Sequence, residues 1–100
     1  MTPRVSPELM RPIVLEEVAV EEKGARLIAV FTLNARPDRR WVTFFRERAR
    51  YSVFDAAAAR FSVNRARIDL LRREDLEPLT RSILRFIDGA NLDVELHGRP

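Results

Sequence analysis

The sequence contains no cysteine, a single histidine, a single lysine and only three glycines in one hundred residues. Each scarcity excludes something. Without cysteine there is no disulfide framework, thiolate metal site or cysteine nucleophile. A zinc or haem site needs several converging ligands, and His97 stands alone near the chain end. The lone lysine, Lys23, lies in an expected turn, where its pKa would not fall as a Schiff-base lysine's must. Gly24, Gly89 and Gly98 are too far apart to form a phosphate-cradling loop or a dinucleotide fingerprint. No apolar run approaches the roughly 18 residues of a membrane helix, and no apolar segment of the signal-peptide kind opens the chain. The four serines, Ser6, Ser52, Ser62 and Ser82, stand in no nucleophile-elbow pattern. These absences lead us to expect a non-enzymatic cytoplasmic protein with no cofactor and no metal.

What is present is globular in character. Hydrophobic residues make up 46% and charged residues 33%, enough apolar surface for one core. A chain of this length buries about 65% of its extended surface, enough for a single domain. We expect a flexible lead-in over 1–12, where Pro3, Pro7 and Pro12 interrupt any regular element, one domain over 13–96, and a frayed tail over 97–100.

Residues 13–34 read as a β-hairpin. Alternation slips by one at Glu16–Glu17, the mark of a bulge. Gly24 supplies the turn, read as a type I turn with a glycine bulge. The return strand, 26–33, is apolar on both faces: Leu27, Ala29, Phe31 and Leu33 on one, Ile28 and Val30 with Thr32 on the other. Such a strand is covered on both faces. Helices can cover the first; the 51–60 segment or a second subunit is left for the other.

A helix is expected from Asp38 to about Arg50, its Trp41, Phe44, Phe45 and Ala49 side turned to the core. That spacing favours packing over a base-stacking platform. Arg48 falls among these aromatics and must snorkel or sit at an edge. Asp55-Ala-Ala-Ala-Ala suggests a short helix capped by Asp55. Residues 61–71 look extended, with a slip at Asn64–Arg65 that is either a bulge or a tight turn; one bulged strand is the preferred reading. A last helix starts after Asp75, carries Leu76, Leu79, Ile83, Phe86, Ile87 and Ala90 as its stripe, and ends at Gly89 or Asn91. Leu92, Val94 and Leu96 alternate as in a short terminal strand. The order β-β-α-(α)-β-α gives an α+β fold: a small, largely antiparallel sheet with two main helices on one face.

Charge is distributed unevenly. Residues 35–73 hold eleven arginines against four acids, and both flanking stretches, 12–34 and 74–100, are net acidic. The arginine-for-lysine bias is what a GC-rich bacterial genome produces. It also gives bidentate phosphate and carboxylate chemistry. Arg39, Arg46 and Arg50 share one helix face, and Arg65 and Arg67 follow on the next strand; together they are the candidate anion or nucleic-acid contacts. The glutamate doublets Glu16/Glu17 and Glu21/Glu22 lie on a strand, where neighbours point to opposite faces and do not converge on a substrate. Three functional classes follow. The chain is a protein-interaction or self-associating module, with Ile28 and Val30 as its association face. Alternatively it binds nucleic acid through its arginines. The third class, an enzyme or small-molecule binder, needs a pocket completed by a partner.

Overall fold

The computed structural model describes residues 12–97, so all of the expected lead-in except Pro12, and the last three residues, fall outside it. The fold is α+β. Strands β1 (Leu15–Lys23) and β2 (Arg26–Leu33) form the expected antiparallel hairpin. Its bulge is where the alternation slips, since Leu15 pairs with Leu33 but Glu17 with Thr32. The turn is tighter than the glycine-bulge form. Lys23 pairs with Arg26, and Gly24, at φ +62°, takes the first of two loop positions, the one a type II′ turn reserves for glycine.

Helix α1 (Arg39–Arg48) begins where Asp38 accepts the Trp41 backbone N–H at 2.8 Å. Its Trp41 and Phe45 are buried, and Ala49, just past its end, is too. Ala56–Ala58 forms one 3₁₀ turn. Asp55 does not cap it as expected: the residue sits in the left-handed region (φ +57°) and makes no side-chain cap bond.

Residues 60–70 correct the sequence reading. They form two strands, β3 (Arg60–Ser62) and β4 (Arg65–Leu70), joined by Val63 and Asn64. The sheet therefore has four antiparallel strands, in the order β1-β2-β4-β3. The reason is burial. The turn sets Phe61 opposite Ala66, so both phases of the apolar alternation reach the same face, and Ala66, Ile68 and Leu70 are buried. The turn leaves Val63, a β-branched residue, at φ +54°. Asn64 holds it there: its backbone carbonyl accepts from Leu33 N (2.7 Å) and its Nδ2 donates to Leu33 O (2.9 Å).

A 3₁₀ turn (Arg73–Asp75) leads into α2 (Leu76–His97), which is longer than expected. Neither Gly89 nor Asn91 ends it, and 92–96 is helix rather than strand. Both residues belong to contacts that need the helix to continue. Asn91 Oδ1 accepts from Trp41 Nε1 (2.8 Å) and from Ile13 N (3.1 Å), while its Nδ2 donates to Ile13 O (2.9 Å). Gly89 lies under Arg48: a Cβ there would come within 2.1 Å of Arg48 Cδ. The guanidinium passes over the bare backbone to reach Asp93, forming two 2.8 Å bonds. Arg48 thus sits at the edge of the aromatic side, as its place in the sequence required.

The core gathers on one sheet face. Ala29, Phe31, Leu33, Ala66, Ile68 and Leu70 meet Trp41 and Phe45 of α1 and Leu79, Ile83, Ile87 and Ala90 of α2. Ala56 and Ala59 join this same core, so the 51–60 segment does not cover the other face.

Two stability measurements follow. Val63→Gly relieves left-handed strain and raises thermal stability by roughly 1 kcal/mol; an unchanged melting temperature contradicts this. Gly89→Ala behaves according to its background. With Arg48→Ala it gains the usual ~1 kcal/mol of alanine over glycine in a helix. With Arg48 present that gain is lost, because the arginine must leave Asp93. A double-mutant cycle by chemical denaturation reads the coupling; additive effects would refute the clamp.

Candidate interaction surface

The sheet face turned away from the helices is built from alternate residues of all four strands. The register sets them in rows across the sheet. Glu17, Thr32, Arg65 and Ser62 make one row; Ala19, Val30, Arg67 and Arg60 the next; Glu21, Ile28 and Asp69 the third; Lys23 and Arg26 the last. The β1 side is therefore acidic and the β4–β3 side basic, with the apolar residues of β2 between.

Ile28 and Val30 are only 3% and 5% exposed in the single chain. Charged neighbours extend over them. Arg67 Nε approaches Glu21 Oε1 at 3.6 Å across β2, and Asp69 Oδ1 accepts from Arg26 (2.9 Å) and Arg60 (3.3 Å). The second covering that β2 required thus comes within the chain from arginine stems and their carboxylate partners. These exposed pairs are individually worth about 0–1 kcal/mol. Their geometric effect is larger: they fix which side chains point where.

The five candidate arginines do not form one surface. Arg65 and Arg67 stand on the open sheet face; Arg39 and Arg46 lie on α1, which packs against the other face, and Arg50 lies in the turn just past its end. Arg46 is engaged by the fold, donating to Ala59 O (3.1 Å) with its guanidinium 5.8 Å from the Phe61 ring centre. Arg50 lies 3.7 Å from Glu47. Arg39 and Arg65 have no partner among the described residues.

Four of the eleven arginines in the basic middle of the sequence are paired with carboxylates of its acidic flanks. Arg67 pairs with Glu21, Arg73 with Glu22, Arg72 with Asp75 and Arg48 with Asp93. On the open face this leaves Glu17, Arg65 and Lys23 without a partner among the described residues. Glu17 and Arg65 occupy the same row, one strand to either side of Thr32. Sequence reasoning weighed Glu17 and Glu21 only as members of carboxylate doublets and did not join them with Arg26, Arg60 or Asp69 into one surface. Their alternation with the apolar phase of β1, β2 and β4 was the available signal; the row that unites them depends on the β2–β4 register.

The glutamate doublets divide as strand geometry requires. Glu17 and Glu21 face the open side, while Glu22 turns toward Arg73. Among the described residues no group of three or more His, Cys, Asp or Glu is placed to hold a metal ion, and no helix is long and apolar enough to cross a membrane. His97 is exposed at the end of α2, its ring 6.3 Å from that of Phe44. Comparison with family models, with curated proteins and with solved structures finds no match to this chain.

Two carboxyls here are displaced from their ordinary value of 3.8. The hydrogen bond from Arg26 lowers Asp69 most, burial opposes it, and a further hydrogen bond from Arg60 adds to the lowering. The Arg48 hydrogen bonds lower Asp93. A carboxyl whose folded pKa lies below its unfolded value stabilises the fold fully above the unfolded pKa. That contribution is lost as pH falls through the folded pKa. Asp93→Asn therefore lowers the melting temperature at neutral pH, and its gap to the native chain narrows as pH falls below the ordinary carboxyl range. A gap independent of pH in thermal unfolding scans would show that the charge of Asp93 is not what matters.

Proposed function

We propose that this chain is a non-enzymatic interaction module that associates with a second copy of itself through the open sheet face. The reading rests on one observation: Glu17 and Arg65, unpartnered among the described residues, flank β2 in a single row. A two-fold axis lying in the interface along β2 sets β1 of one copy over β4 of the other. Each Glu17 then meets the other copy's Arg65, twice per dimer, as an isologous contact requires. The same operation brings the two β2 strands face to face, so Ile28, Val30 and Thr32 lie at the centre. Because Ile28 and Val30 are already nearly covered, the association is driven by the two Glu17–Arg65 pairs more than by fresh apolar burial; Glu21 and Asp69, which the same axis sets opposite each other, are already paired with Arg67 and with Arg26 and Arg60 of their own chain.

A four-stranded face this small buries less than roughly 1,200 Å² in total, the range of weak and transient contacts. The test is accordingly sedimentation equilibrium up to millimolar concentration. The native chain should approach twice its 11.6 kDa mass, with association weakening as salt rises. Glu17→Arg and Arg65→Glu each place like charges opposite one another and leave monomers. The double variant restores both pairs with their signs exchanged, and recovers the dimer. A native chain that stays monomeric throughout, or a folded double variant that does not recover, would rule the arrangement out.

A further inference from the structure

The outer edge of the sheet has a different character from its face. β1 is a nine-residue edge strand, about 30 Å long. Its side away from β2 pairs with no other described strand, which leaves a row of backbone donors and acceptors open to an added strand. The sequence Glu16-Glu17-Val18-Ala19-Val20-Glu21-Glu22 reads identically in both directions about Ala19. Two copies pairing antiparallel at that centre would set Glu17 opposite Glu21 and Glu16 opposite Glu22. Like charges directly opposite are destabilising, so this edge disfavours its own copy and favours a strand that carries cations.

A groove beside the edge points to the same chemistry. It is a shallow, open groove of about 560 Å³, lined by Val18 of β1, by Arg73 and Glu74 of the 3₁₀ turn and by Leu76, Glu77 and Thr80 at the start of α2. No residue of β2, β3 or β4 lines it, which places it at the outer margin of the sheet. Val18 and Leu76 give it an apolar part, and Glu74 and Glu77 supply acid. Arg73, the one cation in the lining, is paired with Glu22, and one oxygen of Glu77 accepts from Arg81 (2.8 Å), which leaves Glu74 as the lining carboxylate without a partner among the described residues. Every second side chain of a strand added to β1 turns toward this groove. A lysine or arginine fits it well, its aliphatic stem on Val18 and Leu76 and its charged head at Glu74 and Glu77.

We infer that the β1 edge and the adjoining groove are a docking site for an extended, basic peptide segment of another protein, bound by strand addition. Backbone pairing to β1 supplies the attachment, and Glu74 and Glu77 in the groove select for positive charge at the alternate positions that turn toward it. The inference does not depend on association through the open face, whose Glu17–Arg65 pairing involves none of the groove residues.

The test titrates the full chain with the synthetic peptide Lys-Thr-Lys-Val-Lys-Thr-Lys and with its Glu-Thr-Glu-Val-Glu-Thr-Glu counterpart, by calorimetry and by amide hydrogen exchange. The basic peptide should bind, more weakly at higher salt, and the acidic one should not. Amides of β1 should gain protection. The variant E74Q/E77Q, altered only at exposed side chains, should bind the basic peptide roughly three- to tenfold more weakly, while Arg65→Glu on the open face leaves binding unchanged. Equal affinity for the two peptides, no binding of either, protection that arises elsewhere, or indifference to E74Q/E77Q would each overturn the assignment. So would protection of β1 that appears with protein concentration alone, since the edge would then pair with its own copy.

Discussion

Phe45 is the contact on which the rest of the structure depends. It is 1% exposed, stacked on Trp41 at 5.5 Å, and meets Phe61 and Phe86 edge-on at 5.3 and 5.9 Å. One side chain thus joins α1, β3 and α2. Its burial and edge-to-face contacts make it worth about 3–5 kcal/mol, a large part of what a domain this small has. Because Phe61 must turn inward to reach Phe45, residue 60 and residue 62 must turn outward. The position of Arg60 and Ser62 on the open face is therefore a consequence of aromatic packing on the other side of the sheet.

The apolar core does not by itself fix the irregular segments. That work falls to the three asparagines of the sequence. Asn34 takes the Val14 N–H at 2.8 Å and donates to Pro12 O; Asn64 clasps Leu33; Asn91 takes the indole of Trp41 and both backbone groups of Ile13. Each amide can donate and accept together, which suits it to a stretch of chain that lacks a ladder partner. Asn34 and Asn91 hold the same entry segment to β1 from two directions, and β1 becomes an edge strand whose start is anchored. No buried side-chain nitrogen or oxygen among the described residues is left without a partner.

How much of this was legible in the sequence follows the range of the interaction. The 13–34 hairpin, its bulge and the start of each helix are set by neighbours a few residues apart, and alternation, Gly24 and Asp38 revealed them. The hairpin at 60–70 was ambiguous because a phase slip looks alike whether the strand bulges or turns back; Phe61 against Phe45 and Ala66 decides between the two, and those contacts are not visible in local pattern. The extension of α2 was hidden for the same reason. Gly89 and Asn91 are good stop signals in isolation, yet one accommodates a side chain from position 48 and the other a ring from position 41. Arg48 was the exception: a charge on an apolar stripe signalled that something unusual was needed, and its fork on Asp93 supplies it. For the candidate surface, the arginines were visible as residue types but their grouping was not. Arg65 and Arg67 joined Glu17 and Glu21 rather than Arg39 and Arg46, because β4 pairs with β2 in a register that no local rule gives.

The distribution of charge then determines what kind of surface remains. If the eleven arginines between residues 35 and 73 all projected freely, the protein would be a general anion binder with strongly salt-dependent affinity. Folding brings acidic residues from both ends of the chain against them, and four of the resulting pairs join the middle of the sequence to its flanks. The field that survives is short-ranged and patterned. Acid runs along β1 and beside the start of α2, base along β4 and β3, and the sheet separates these arginines from those of α1. A uniform positive field attracts any polyanion; a face with one acidic and one basic side instead fits a surface patterned the opposite way, and its own rotated copy meets that description. The edge next to it carries charge of mainly one sign, so its own copy is the strand it pairs with worst. On the two proposed readings, face and edge select different partners through the same rule, with like charges excluding as much as opposite charges attract.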